Sequence, residues 1–153
     1  MAHITCEITG TEVLEKLKLD KTDTARFVET AAGTLVAIIR TNAPRKSGDL
    51  RSGIIPSPWE ERTAVPGKVV REVYFDAAMN DTFVKVAKSG KRYYYPASQE
   101  YGFRIAKQAA IPGKTPSRDR VPGKYFMRDT AVEYAPAFAA GVQELVEEVA
   151  KRG

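Results

Sequence analysis

The sequence predicts an α+β fold, a small antiparallel β-sheet packed against two long amphipathic helices at about 23–42 and 125–151, with long loops at 44–67 and 102–124. Three observations carry that expectation. Two stretches repeat their apolar residues at steps of three and four, short segments between them alternate apolar and polar residues, and proline and glycine crowd the connections. A chain of 153 residues has the length of one domain, 1–153. At that size roughly 70% of the unfolded surface is removed from water, enough for a core that needs no staples.

The elements follow in order. His3 to Thr9, with Ile4, Thr5 and Ile8, suits a short strand ended by Gly10, and Thr11 to Asp20 carries Val13, Leu14 and Leu17 at the spacing of a short helix. From Asp23, read as an N-cap, the residues Phe27, Val28, Ala31, Ala32, Leu35, Val36, Ile38 and Ile39 form one apolar stripe on a helix that Pro44 stops. Residues 44–67 hold Pro44, Gly48, Gly53, Pro56, Pro58, Pro66 and Gly67, too many breakers for regular structure through most of the stretch. Lys68 to Asp76 reads as a strand packed on two sides, and Thr82 to Lys88 as its partner across the turn-like Ala77 to Asp81. Tyr93 to Tyr95 is read as a third strand, Pro96 to Tyr101 as a short helix or turn. The stretch from Gly102 to Lys124, broken by Pro112, Pro116 and Pro122, reads as a mobile or partner-ordered loop. Tyr125 to Lys151 repeats its apolar residues as a second long helix, which Pro136 is expected to kink or divide.

Composition narrows the chemistry. The chain has one cysteine, Cys6, and one histidine, His3, so no intramolecular disulfide, zinc finger or His-centred triad can be assembled. No apolar run approaches the roughly 18 residues of a membrane span, and the N-terminus lacks the layout of a signal peptide. These features predict a soluble protein of a reducing cytoplasm, without metal or cofactor. The net charge is +5, from 24 Lys and Arg against 19 Asp and Glu, and it is uneven. Residues 85–124 carry ten basic and two acidic side chains, +8, which leaves −3 for the rest. Such a block steers toward DNA or an acidic protein surface, unless it is simply a solvated loop.

Local patterns that suggest catalysis are incomplete. Gly113-Lys114-Thr115 resembles the end of a phosphate-binding loop, but Gln108 stands where that loop needs glycine. Ser47, Asp49 and Ser52 are close in sequence without a neighbouring base. Glu100 lacks a second carboxylate nearby and is read as a counter-charge to Arg104 or Lys107. Trp59, among prolines, is either a contact anchor or a residue folded back on the core.

Two segments say more. Asn42-Ala43-Pro44-Arg45-Lys46-Ser47-Gly48-Asp49-Leu50-Arg51-Ser52-Gly53-Ile54 resembles the pattern Ala-Pro-x-x-(Thr/Ser)-Gly-x-Leu-x-x-Ser-Ile of small tail-component proteins of long-tailed phages. Tyr94-Tyr95-Pro96-Ala97 followed by Gln99-Glu100-Tyr101-Gly102 is similar to that family's Tyr-Ala-x-x-x-Glu-(aromatic)-Gly signature. Pro122-Gly123-Lys124-Tyr125-Phe126-Met127-Arg128 falls where the family opens its last helix with Pro-x-x-Phe-(Leu/Met), and the order of all three is the family's. By this resemblance the chain is similar to the siphophage tail-completion, or head–tail joining, group of the HK-ninety-seven gene-product-ten type. Phe103 replaces the family's usual threonine, Gly53 intervenes before Ile54, and the stretch from Arg104 to Arg120 is longer and more basic.

The resemblance implies a virion protein that performs no chemistry. It would form a ring, a hexamer, at the end of the tail tube, with the tail-tube and head-completion (stopper) proteins as neighbours and double-stranded DNA in transit. The motif residues are Pro44, Ser47, Gly48, Leu50 and Ile54 in the turn, and Tyr94, Tyr95, Glu100, Tyr101 and Gly102 in the aromatic segment. Ser47-Gly48 suits a turn with positive φ, Leu50 and Ile54 return to the core, and Arg45, Lys46 and Arg51 stay outside. Arg104, Lys107, Lys114, Arg118, Arg120 and Lys124 are the candidates for contact with DNA or a partner. The competing readings are a basic module for single-stranded nucleic acid, from the tyrosines and Phe103 interleaved with cations, and an enzyme such as a nuclease.

Overall fold

The computed structural model describes residues 4–8, 21–45, 48–58, 60–61, 69–104 and 120–152. The helix expected at 11–20, Ser47, Trp59, Lys107, Lys114, Arg118 and the Gly113-Lys114-Thr115 segment lie outside them. The fold is α+β, with small antiparallel sheets and two long helices.

Strand β4 (Val69–Phe75) organises the main sheet. Strand β1 (Ile4–Ile8) pairs along one edge, from Ile4 opposite Val73 to Ile8 opposite Val69. The other edge takes β2 (Ile54–Pro56) and β3 (Glu60–Glu61), with Ile54 opposite Phe75 and Glu60 opposite Val70. Because alternate residues share a face, Val69, Val73 and Phe75 point together into the core. On the opposite face Val70 is buried, whereas Glu72 and Tyr74 are half-buried.

Helix α1 (Lys21–Asn42) crosses the sheet with the stripe the sequence predicts: Val28, Ala31, Ala32, Leu35, Val36 and Ile39 are buried. It begins two residues before Asp23, so Asp23 lies in the first turn and is not the N-cap. Its carboxylate meets Arg152 at 3.2 Å and ties the start of the first long helix to the end of the last. That pairing sets an anion at a helix N-terminus and a cation at a C-terminus, the favourable sense for both helix dipoles.

The connection at 44–67 is more regular than its breakers suggest. Gly48, at φ +79°, turns the chain into the four-residue helix α2 (Asp49–Ser52), and β2 follows. Pro56 closes β2 without penalty because that strand lies at the sheet edge. Leu50 and Ile54 enter the core as expected. Arg51 does not simply stay outside; its guanidinium donates to the carbonyls of Thr41 (2.9 Å) and Ala43 (3.1 Å), which the end of α1 leaves without helical partners.

The expected pairing of Thr82–Lys88 with the preceding strand is not formed. Both edges of β4 are already occupied, and Asp76 accepts from the Ala78 N–H (2.9 Å) to start a 3₁₀ turn that leads the chain off the sheet. After helix α3 (Asn80–Phe83), strand β5 (Val84–Val86) instead forms a hairpin with β6 (Arg92–Tyr94). Tyr95, expected in a strand, begins helix α4 (Tyr95–Tyr101). The ends of the expected loop at 102–124 also pair, as β7 (Gly102–Arg104) with β8 (Arg120–Pro122).

Helix α5 (Phe126–Arg152) runs through Pro136 undivided. The proline is on the exposed side, and Val132, the residue whose carbonyl it leaves without an intrahelical donor, is 68% exposed. This helix packs chiefly along α1, with Phe27 and Phe138 at 5.4 Å between ring centroids and Asn42 donating to the Thr130 hydroxyl at 2.8 Å. Its N-terminal Phe126 and Met127 join Leu35, Ile39, Val73 and Phe75 in the principal core. No helix among the described residues is long and apolar enough to cross a membrane.

Leu35 sits at the centre of this core, so Leu35→Ala is expected to cost about 2–5 kcal/mol in urea unfolding, whereas Val132→Ala on the open face of α5 stays within about 0.5 kcal/mol.

Candidate functional site

The site is built at the N-terminal end of α5, where all three sequence motifs converge. Helix α4 has Pro96 in its first turn, where a missing N–H does no harm, and ends at Gly102, whose φ of +76° lets the chain reverse into β7. Glu100, in its last turn, is only 2% exposed. Its Oε2 accepts from the Met127 N–H and its Oε1 from the Arg128 N–H, each at 3.0 Å. These donors belong to the first turn of α5 and have no partner within that helix. A carboxylate from another segment therefore does the work of an N-cap, with the added attraction of a negative charge for a helix N-terminus. The Glu100 side chain is thus a helix cap; it forms no salt bridge with Arg104, and Lys107, the other expected counter-charge, lies outside the described residues.

The backbone completes the clasp. Lys124 N–H donates to the Gln99 carbonyl (2.8 Å) and Tyr125 N–H to the Glu100 carbonyl (3.0 Å), while Tyr125 adopts φ +47° just before α5. The two chains approach so closely that a Cβ on Gly102 would lie 2.2 Å from the Val121 carbonyl oxygen, and one on Gly123 2.1 Å from that of Glu100. Only glycine fits at either position. The Arg128 guanidinium then lies 4.0 Å above the Tyr125 ring centroid, a cation–π contact over the joint.

The clasp holds the β7–β8 ribbon outward. In its register Phe103 faces Val121 and Arg104 faces Arg120. Phe103 is 46% exposed, Val121 36%, and the adjacent Tyr101 49%. Phe103 and Val121 line an open groove of about 380 Å³ together with Pro44, Tyr95 and Pro122, and Arg45 and Lys124 add two cations to its walls. Arg104 and Arg120 form a like-charge cross-strand pair, an unfavourable juxtaposition for an isolated ribbon. Arg120 spends one N–H on the Tyr101 carbonyl at 3.1 Å.

The sequence-predicted residues therefore divide. Pro44, Tyr95, Glu100, Tyr101, Gly102, Arg104, Arg120 and Lys124 come together here, whereas Leu50 and Ile54 belong to the core and Gly48 to the turn before α2. Tyr94 is also a core residue, with its ring edge-on to Phe83 (6.0 Å) and Phe75 (6.5 Å). Burial pushes its phenol above the ordinary value, and its hydroxyl has no hydrogen-bond partner among the described residues. Sequence reasoning missed Val121, named Phe103 as a contact residue only for the competing single-strand reading, and gave Gly123 no role beyond its place in the third motif. Their signal was the mirrored order Gly-Phe-Arg and Arg-Val-Pro, two short alternating segments that pair across the intervening chain. Among the described residues no group of three His, Cys, Asp or Glu side chains is placed to hold a metal ion. The chain matches no protein-family model, no curated protein and no solved structure.

Removing the cap leaves two N–H groups unpaired, so Glu100→Ala is expected to lower stability by about 1–3 kcal/mol in urea unfolding, and Glu100→Gln, which keeps an acceptor, by less. Tyr94→Phe removes an unpartnered buried hydroxyl and is expected to leave the melting temperature unchanged or raise it, as followed by circular dichroism.

Proposed function

We propose that the chain is a structural virion protein, a tail-completion or head–tail joining subunit of a long-tailed phage or prophage. It assembles with its own copies into a ring, a hexamer, at the tail-tube end, and its work is contact and passage, not catalysis. The observation that carries this reading is the β7–β8 ribbon, which holds Phe103 and Val121 out beside a groove and is anchored by the buried Glu100 clasp. An exposed aromatic and aliphatic pair beside a groove has the composition of an interface core. The motifs resembling the tail-completion family lie far apart in sequence, yet Pro44, Tyr95 and Pro122 line the same groove.

The charges favour an acidic neighbour. Arg104 opposite Arg120, with Arg45 and Lys124 in the groove wall, is a cluster whose mutual repulsion an anionic partner relieves. In the proposed setting those neighbours are the tail-tube and stopper proteins, with double-stranded DNA passing transiently and no membrane involved. The protein would reside in the virion at the head–tail interface, and in the host cytoplasm during assembly. The single-strand-binding alternative is less well supported, because Tyr94, one of its stacking residues, is packed on Phe75 and Phe83.

Native mass spectrometry of the protein, alone and mixed with tail tubes, tests the reading. Oligomers burying about 1,600 Å² or more at each contact are expected, and Phe103→Asp should abolish them without changing the thermal melt. If neither the free protein nor the mixture exceeds the monomer, the ring reading fails.

A further inference from the structure

The β5–β6 hairpin is a second projection, separate from the groove. Its base is fixed, since Val84 stands opposite Tyr94, whose ring packs on Phe75 and Phe83. Its far end is closed by the Ala87 N–H to Lys91 carbonyl and Gly90 N–H to Ala87 carbonyl bonds, both 2.9 Å, with Gly90 at φ +79°. Beyond the base, Lys85, Lys88, Lys91 and Arg92 are all exposed, and none forms a salt bridge with a described residue. The sequence has no acidic side chain between Asp81 and Glu100 to offset them.

We propose that this hairpin is a contact element for the phosphate backbone of double-stranded DNA. Register and alternation place Lys85 and Lys91 on one face with Tyr93, Arg92 on the other, and Lys88 in the turn. Positive charge thus leaves the ribbon on both sides and at its tip. A two-stranded ribbon fits the major groove, about 12 Å wide, where both walls are lined with phosphates. The tip, Ala87-Lys88-Ser89-Gly90-Lys91, is, apart from Gly90, made of residue types depleted at protein interfaces, which argues against an acidic protein as the partner. A single strand is held by successive aromatic platforms, and the hairpin exposes only Tyr93. Its four cations are placed for the phosphates that line the groove, so binding rests on charge and falls steeply with salt. The inference stands on the hairpin's own charge and geometry and does not require ring assembly.

Fluorescence anisotropy of the full-length protein with a labelled duplex of about 30 base pairs, across roughly 50–200 mM salt, tests it. The variant K85Q/K88Q/K91Q/R92Q alters only exposed side chains and is expected to keep the wild-type thermal melt. Its plot of log affinity against log salt should be less steep by about 3.6, four contacts at about 0.9 each, so roughly 150-fold of the wild-type salt sensitivity over that range disappears. The comparison variant R104Q/R120Q/K124Q should retain the hairpin's share of the slope. An unchanged slope in the hairpin variant overturns the proposal, as does a wild-type protein that ignores duplex at about 50 mM salt, or that prefers a single strand or anionic lipid vesicles. Native mass spectrometry on the same samples separates this outcome from the ring reading: oligomers with an unchanged salt slope contradict the hairpin alone, and a reduced slope in a persistent monomer contradicts the ring alone.

Discussion

The buried carboxylate of Glu100 holds together the end of the molecule that carries the candidate site. The first-turn N–H groups of a helix must be satisfied from outside it, and here the 27-residue helix α5 is served by a side chain from a different segment. The arrangement works in both directions. A carboxylate excluded from water needs strong donors, and two helix N–H groups on a positive dipole end supply them. Each partner therefore depends on the other's position.

Phe126 and Met127 fasten the start of α5 to the layer of α1 on the β4-centred sheet. Core packing thus delivers the helix N-terminus to Glu100, and the glycines at 102 and 123 allow the two backbones to meet without side chains between them. The ribbon leaves this joint directly. Its exposed pair, Phe103 and Val121, is held in place by the same contacts that cap the helix, so surface and core share one mechanical unit. An interface presented on so well-anchored a ribbon loses little conformational freedom when it binds, which favours assembly from preformed parts.

Much of this was legible in the sequence because it is local. The 3.6-residue repeat from Phe27 to Ile39 set α1, Pro44 marked its end, Gly48 announced a positive φ, and Leu50 and Ile54 were read correctly as core anchors. What escaped was decided at a distance. Nothing near Glu100 indicates a partner 27 residues later, and its basic neighbours suggest an ion pair and not a helix cap. Adjacency suggested that Thr82–Lys88 would pair with β4, but strands from elsewhere in the chain had filled both edges. Pro136 was expected to kink or divide α5, and the helix runs on undivided with the proline on its exposed side. Arg51 was read as a surface cation, although its position after α1 places it on two free carbonyls. In the candidate site the motif segments meet at one groove, while the roles of Gly123, Phe103 and Val121 required the pairing of β7 with β8.

The proposed joining role rests on the ribbon, and the ribbon rests on the Glu100 joint. Hydrogen exchange at the Met127 and Arg128 amides reads that joint directly. First-turn amides of an ordinary exposed helix exchange as frayed ends do, whereas groups bonded to a buried carboxylate open only with the surrounding structure. Protection at both amides close to that of the α1 core is the predicted result, and exchange at the rate of an unprotected helix terminus would contradict the account.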